Sequence, residues 1–179
     1  DSDAPNVIIP SKTAAQFASV LADGEATLLV SETKVKLVCG GVEILSKVID
    51  GTFPAWQRVI PPVTNQNVTV ASQDLAKAIE RVQVVMNERS KIVKMTVAEG
   101  ELTLTAPQRE GSGEATDTIE AVRNGVDADI GVSAKYALDA MRQADKGSVC
   151  IQYGTGGDPL LISYDREPEL LVVVMPARF

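Results

Sequence analysis

A serine closes each of three short β-prone runs, VIIPS at 7–11, VTVAS at 68–72 and DIGVS at 129–133, and the interval between Ser11, Ser72 and Ser133 is 61 residues both times. Each serine is placed to cap a helix, its hydroxyl accepting from an unpaired N–H of the first turn. An amphipathic helix of about three turns follows each one. Its apolar stripe is Ala14, Phe17, Ala18 and Leu21 in the first copy and Leu75, Ala78, Ile79 and Val82 in the second. In the third it is Ala134, Ala137, Leu138 and Met141. Three strand-like runs then follow each helix: ATLLVSE, KVKLVCG and VEILSKVI; KIVKMTV, ELTLTA and EATDTIEAV; SVCIQY, PLLISY and LLVVVM. Turn signals such as EGE and TGGD separate them. The unit is β-α-β-β-β, three times over. Short connections between successive strands predict antiparallel sheet covered on one face by helices, an α+β layout. The period is too long for a solenoid and suits a domain built from two such units. Three copies make one and a half domains. With the proline-bearing stretch 54–62 as separator, residues 1–62 are expected to be half a domain with its linker and 63–179 a complete one. The chain opens on DSDAP, so its left edge is not expected to be a domain edge.

Composition narrows the chemistry. With 179 residues and 45% hydrophobic content the chain can bury a sizeable core. No run approaches the length of a membrane span, and a soluble cytoplasmic protein is expected. Cys39 and Cys150 sit inside alternating apolar runs, where a free thiol behaves as a small core hydrophobe rather than half of a disulfide. The chain has no histidine, which removes the usual general base, the histidine-dependent nucleophile systems and the commonest metal ligand. No paired-carboxylate motif or calcium-loop spacing compensates, and YGTGG lacks the lysine of a phosphate loop and is better suited to a hairpin turn. Catalysis, cofactor and metal are therefore not expected. A net charge of −7 argues against blanket phosphate neutralisation but leaves room for a locally basic face.

VIDGTFPAWQRVIPP at 48–62 sets two aromatics, an arginine and three prolines between strand-like segments. Taken alone it suits a stiff inter-domain connector, with Phe53 and Trp56 packed and Arg58 solvated. It resembles the linker between the middle and last domains of the bacterial β sliding clamp, the processivity subunit of DNA polymerase III, whose pattern is close to DG-x-FP-x-[YW]-x-R-V-[LI]-P. The ending VVVMPARF is similar to that family's VMP-x-R-[LF] tail, and EATDTIEA and YALDAM fall where the family has similar segments. The likeness runs from about Val7 to Phe179 in the right order and spacing. It implies a DNA clamp fold with antiparallel sheets outside and helices on the inner face, and about 190 further residues upstream, on the usual size of such domains.

In that family, three-domain protomers pair into a ring around duplex DNA, and polymerase, clamp-loader and repair proteins dock a short peptide on the last two domains. The matching pocket positions here are Pro54, Arg58, Val59, Gly157, Pro159, Val173, Met175, Pro176, Ala177 and Arg178. Their valine, proline and methionine surfaces suit leucine and aromatic anchors, with Arg58 and Arg178 at the rim. The family pocket also takes residues from the half domain lacking here, so one wall of it is expected to be missing. The resemblance further implies that Lys12, Lys77, Arg81 and Lys135 look at DNA phosphates, although Glu80, Glu88 and Asp139 share those helix faces and a merely solvated face is the alternative. It places Val84 and Val85 in a protomer interface, with Glu110 and Glu114 as acidic neighbours. The expected function is a non-catalytic, homodimeric sliding clamp. Its rivals are a standalone peptide-binding scaffold without a ring and, less favoured by the residues, a small enzyme working in a cleft.

Overall fold

The computed structural model describes residues 5–21, 24–86, 91–106, 113–144, 147–155 and 157–179. The chain divides into two compact units, Asp1–Ala55 and Trp56–Phe179. The second starts upstream of the expected position 63, and residues 58–62 line a groove together with Gln152, Tyr153 and Gly154 of that unit; just downstream the chain is hydrogen-bonded in. The Thr64 N–H donates to Gln152 Oε1 at 3.2 Å, and the Tyr153 N–H donates to the Gln66 carbonyl at 3.1 Å.

The first unit carries helix α1 (Ser11–Val20) and strands β1 (Ala26–Val30), β2 (Lys34–Cys39) and β3 (Val42–Lys47) in an antiparallel sheet of that order. The expected leading strand at 7–11 is reduced to one bridge between Ile8 and Ile49, since Pro10 has no N–H to extend it. The buried face of α1 is Thr13 and Phe17, with Val20 packed beside them against Val35 and Leu37. It is not the Ala14, Ala18 and Leu21 stripe. Leu21 is already in extended backbone past the helix end, and Thr13 is satisfied inside by a 2.8 Å hydrogen bond with the Ser46 hydroxyl.

The second unit runs β4 (Asn67–Ala71), α2 (Ser72–Val82), a 3-10 turn Gln83–Val85, β5 (Ile92–Ala98), β6 (Glu101–Ala106), β7 (Ala115–Glu120) and β8 (Val122–Asn124). It continues with β9 (Ala128–Ser133), α3 (Ala134–Met141), β10 (Ser148–Gln152), β11 (Leu160–Tyr164) and β12 (Leu171–Val174). Two antiparallel sheets result, ordered β12-β11-β10-β4-β8 and β7-β6-β5-β9. The two repeats exchange their leading strands: β4 pairs with β10 of the second repeat, and β9 with β5 of the first. Neither repeat can complete its sheet alone, which is why the stable module takes two copies. EATDTIEAV, expected as one strand, is split at Ala121. Its N–H bonds to the Gly100 carbonyl at 3.1 Å, and the chain passes from one sheet to the other there.

Strict alternation puts Val93, Met95 and Val97 inward from β5, Leu102 and Leu104 from β6, and Val149 and Ile151 from β10. All four stripe residues of α2 and of α3 are buried against them. Each large aliphatic side chain so buried stabilises the fold by roughly 1.5–3 kcal/mol. The Tyr164 hydroxyl donates to the Ala140 carbonyl at 2.9 Å, tying α3 to β11.

The serines do not cap as expected. Pro10 and Ala71 occupy the N-cap positions of α1 and α2, and Ser133, at the N-cap of α3, makes no side-chain cap bond. Backbone from neighbouring segments does that work instead. The Ser72 N–H donates to the Gly147 carbonyl at 3.0 Å and the Ala134 N–H to that of Lys91 at 2.8 Å. Ser72 Oγ is buried with no partner among the described residues. Ser72→Ala should therefore change unfolding free energy by less than about 0.5 kcal/mol or raise it, where loss of a true cap costs about 1 kcal/mol. A urea midpoint lowered by the full capping amount would contradict this.

Candidate peptide-binding groove

The connector builds one wall of a groove within the second unit. Trp56–Val59 forms a single 3-10 turn, and the prolines after it hold the backbone extended. Thr64 then staples the segment down. Its hydroxyl donates to the Gln66 carbonyl at 3.2 Å and lies 3.3 Å from the Tyr153 carbonyl, and it accepts the Gln66 N–H at 3.0 Å. The floor is the end of β10, Gln152 to Gly154, and the far wall is Pro159 and Met175. The resulting groove holds about 360 Å³ and is lined on the connector side by Arg58, Val59, Ile60, Pro61 and Pro62. Tyr153 is only 1% exposed, and its hydroxyl donates to the Val126 carbonyl at 2.8 Å. That burial raises its pKa above the ordinary phenol value, while burial and the Val126 hydrogen bond together hold the ring in place as the floor.

Two further depressions adjoin. One, also about 360 Å³, shares Tyr153, Gly154 and Asp158 with the groove and is closed by Gly157 and by Pro176, Ala177 and Arg178. The other, about 510 Å³, shares Met175 and is lined by Val173, Val172 and Leu170 with Tyr136 and Ala140 of α3. Met175 is 63% exposed and Val59 58%, so both offer apolar surface to a visitor. Asp158 adds a carboxylate between the first two depressions, its Oδ2 accepting the Thr155 N–H at 3.2 Å.

Nine of the ten expected pocket positions thus line this set of connected depressions. Pro54 does not: it belongs to the first unit and is exposed. Phe53 and Trp56, expected as packing residues, are both exposed. Sequence reading missed Tyr153, Tyr136, Gln152 and Asp158. The first three sit in runs that look like ordinary strand or helix, and only the pairing of β10 with β4 and β11 shows which strand end opens on the connector.

The remaining candidates fall elsewhere. Lys12 is exposed on α1 of the first unit, and Lys77 and Lys135 are exposed on α2 and α3. Among the described residues neither Lys77 nor Lys135 forms an ion pair. Arg81 is different: its guanidinium is paired with Asp117 of β7, so its charge is already matched within the chain. Glu80 is exposed, and Asp139 pairs with Arg142. Val84 is 80% exposed, whereas Val85 packs against the core and its carbonyl accepts the Gly113 N–H at 3.2 Å. The 3-10 turn after α2 points one valine out and its neighbour in, so only Val84 offers a free apolar side chain. Glu114 is exposed; Glu110 and Glu88 lie outside the described residues. Cys39 and Cys150 are free thiols, and no helix among the described residues is long and apolar enough to cross a membrane.

Comparison with known proteins gives a consistent result. Residues 57–178 match the family model for the C-terminal domain of the DNA polymerase III beta subunit, while residues 1–55 match the model for its central domain. A beta sliding clamp of Caulobacter vibrioides strain NA1000 is 34% identical over 97% of this chain and 47% of its own length. A DnaN sliding clamp from Bartonella birtlesii, solved bound to griselimycin, superposes with a TM-score of 0.91 at 34% identity, covering 98% of this chain and 48% of that one. The sliding clamp from Caulobacter crescentus gives 0.88 at 34% identity, covering 98% and 47%. The chain spans about half the length of the relatives it matches, and its fold is that of the sliding clamps. Two adjoining family matches, in the order central then C-terminal and together spanning nearly every residue, leave one conclusion: this chain belongs to the DNA polymerase III beta subunit family.

Proposed function

We propose that this chain is the peptide-docking portion of a DNA sliding clamp, a non-catalytic processivity factor that encircles duplex DNA and recruits replication and repair proteins through short linear segments. The observation that carries this reading is the groove itself. It is an apolar trough with a rigid tyrosine floor, an arginine on the connector wall and an exposed methionine opposite, joined to two further depressions. An extended peptide with spaced leucine and aromatic side chains fills such a series, one anchor per depression.

In the complete ring, Lys77 and Lys135 face the duplex phosphates and Arg81, held by Asp117, contributes less. A sparse cationic lining suits sliding, since contacts that hold phosphates without reading bases leave register free. Val84 sits in the contact between protomers, with Glu114 near it.

The Bartonella birtlesii clamp was solved bound to griselimycin, and the same compound supplies the test here. A fluorescently labelled short peptide carrying leucine and phenylalanine anchors should bind the chain saturably at concentrations up to about millimolar. Unlabelled griselimycin should displace it. No binding by either, with the chain folded, would refute the docking function. Peptide that binds Met175→Asp as tightly as the native chain would place the peptide somewhere other than this groove, since Met175 lines it.

A further inference from the structure

Gly131 lies in the middle of β9 and is buried, yet it carries no side chain that could make it so. Its neighbours along β9 explain the arrangement. Ile130 and Val132 point into the core, so Asp129 and Gly131 belong to the opposite, outer face of the four-stranded sheet. What covers Gly131 there is the segment that follows β12. The Ala177 N–H donates to the Gly131 carbonyl at 2.8 Å. A Cβ built at position 131 would collide with the Ala177 carbonyl oxygen and come within 2.7 Å of the Phe179 ring. The obstacle is backbone as well as side chain, so it cannot be relieved by a rotamer change alone.

The ring of Phe179 is held from a second direction. Lys94 is the cross-strand partner of Gly131 on β5, and its ammonium lies 5.4 Å from the Phe179 centroid, within the range of a cation-π contact. Lys94 is in turn fixed by Asp129 at 2.9 Å, and Asp129 accepts from the Thr96 hydroxyl at 2.7 Å. Gly131 therefore vacates one position of the outer face, and Phe179 occupies it beside an ordered lysine.

This has a consequence for the groove. Met175 leaves β12 of the five-stranded sheet, and within four residues the chain is fastened to β9 of the other sheet. Pro176, Ala177 and Arg178, stretched between those two points, close the second depression. If the segment after Met175 were released, that wall would go and Met175 would lose its downstream anchor. We propose that Gly131 is a positioning residue of the peptide groove: its missing side chain lets Ala177 and Phe179 latch the Pro176–Phe179 segment onto the outer face of β9, and so sets the far half of the binding surface. The proposal rests on the peptide-docking reading for its functional part, while the latch itself is a statement about this chain alone.

The test uses the whole 179-residue chain in two independent readouts. In the first, phenylalanine is replaced biosynthetically by a fluorinated analogue and the Phe179 resonance is followed by fluorine NMR. It should be dispersed from the free-peptide position in the native chain and collapse toward it in Gly131→Val. In the second, the affinity of the labelled leucine-phenylalanine peptide is measured for native, Gly131→Val, Phe179→Ala and double-variant chains. Gly131→Val should weaken binding about tenfold and Phe179→Ala about threefold, on the scale of interface positions away from the central anchor. The double variant should be no weaker than Gly131→Val, because both act through one latch. Phe179 is half-exposed, so Phe179→Ala leaves the fold intact and decides the matter should Gly131→Val fail to fold. Native-like affinity in Phe179→Ala, or additive losses in the double variant, overturns the positioning role. A Phe179 resonance already at the free-peptide position in the native chain overturns the latch. A native chain with a dispersed Phe179 resonance that binds no peptide overturns instead the docking function, and with it the role assigned to Gly131 in it.

Discussion

Met175→Asp should weaken binding of the leucine-phenylalanine peptide by about a hundredfold while leaving the melting temperature almost unchanged. Among the described residues Met175 is the one shared by the main groove and the depression beside α3, so a peptide that spans both crosses it. Its thioether is flexible and polarisable and can adapt to different leucine or aromatic anchors. A carboxylate in its place has to be desolvated beneath the peptide, and it adds a second negative charge to a groove that Asp158 already lines. The stability effect is small for the opposite reason. With 63% of Met175 exposed, the aspartate stays in water in the unliganded chain, and surface changes of that kind stay within about 0.5 kcal/mol. Met175→Leu, which keeps volume and apolarity, should bind within about threefold of native. Isothermal titration with paired thermal melts checks both. Equal losses in the leucine and aspartate variants would mean that shape at this point, and not its apolar character, governs the site.

The groove was legible in the sequence to the extent that its parts lie in two local motifs. Arg58 and Val59 come from the connector and Met175 to Arg178 from the tail, and each motif is short and distinctive. The helices of the second unit were legible for a different reason. Leu75, Ala78, Ile79 and Val82 keep one helical period from end to end, and period is the strongest local signal a sequence carries. What was not legible depends on which strand neighbours which. The exchange of β4 and β9 between repeats is non-local, and it decides that Tyr153, at the end of an unremarkable strand, becomes the floor. The serine caps failed on the same ground. A serine before a helical stripe is a sound local signal, but carbonyls from Gly147 and Lys91, distant in sequence, reach the first N–H groups of α2 and α3. Arg81 shows the limit for charge: it is exposed on α2, off the Leu75 stripe, yet Asp117 of β7 is beside it, which no reading of the helix alone reveals. Gly131 shows it for shape, since a glycine within a strand signals only that something approaches closely, not what.

Tyr153→Ala should have the largest effect on stability, lowering unfolding free energy by about 3–5 kcal/mol. The ring is almost wholly buried and belongs to the main core, so its removal leaves a void that strand backbone cannot collapse to fill. The damage extends to the groove, because the residues on either side of Tyr153 line it as well. Tyr153→Phe separates the two roles. It keeps the ring and deletes only the hydroxyl that donates to the Val126 carbonyl, so it should cost about 1 kcal/mol and leave peptide affinity unchanged. Alkali supplies an independent check. Burial makes the phenol harder to ionise in the folded chain than its ordinary value of 10.0, so the folded state binds this proton more tightly than the unfolded state. The stability linked to that difference is complete below pH 10 and is lost as pH rises through the folded pKa. Tyr164, raised by burial as well, acts in the same window, so Tyr153→Phe should flatten the alkaline decline without abolishing it. Urea titrations of native and Tyr153→Phe chains between pH 8 and roughly 11 read this directly. Parallel declines in the two would show that the Tyr153 hydroxyl is not sequestered from solvent, and would remove the reason for treating the floor of the groove as rigid.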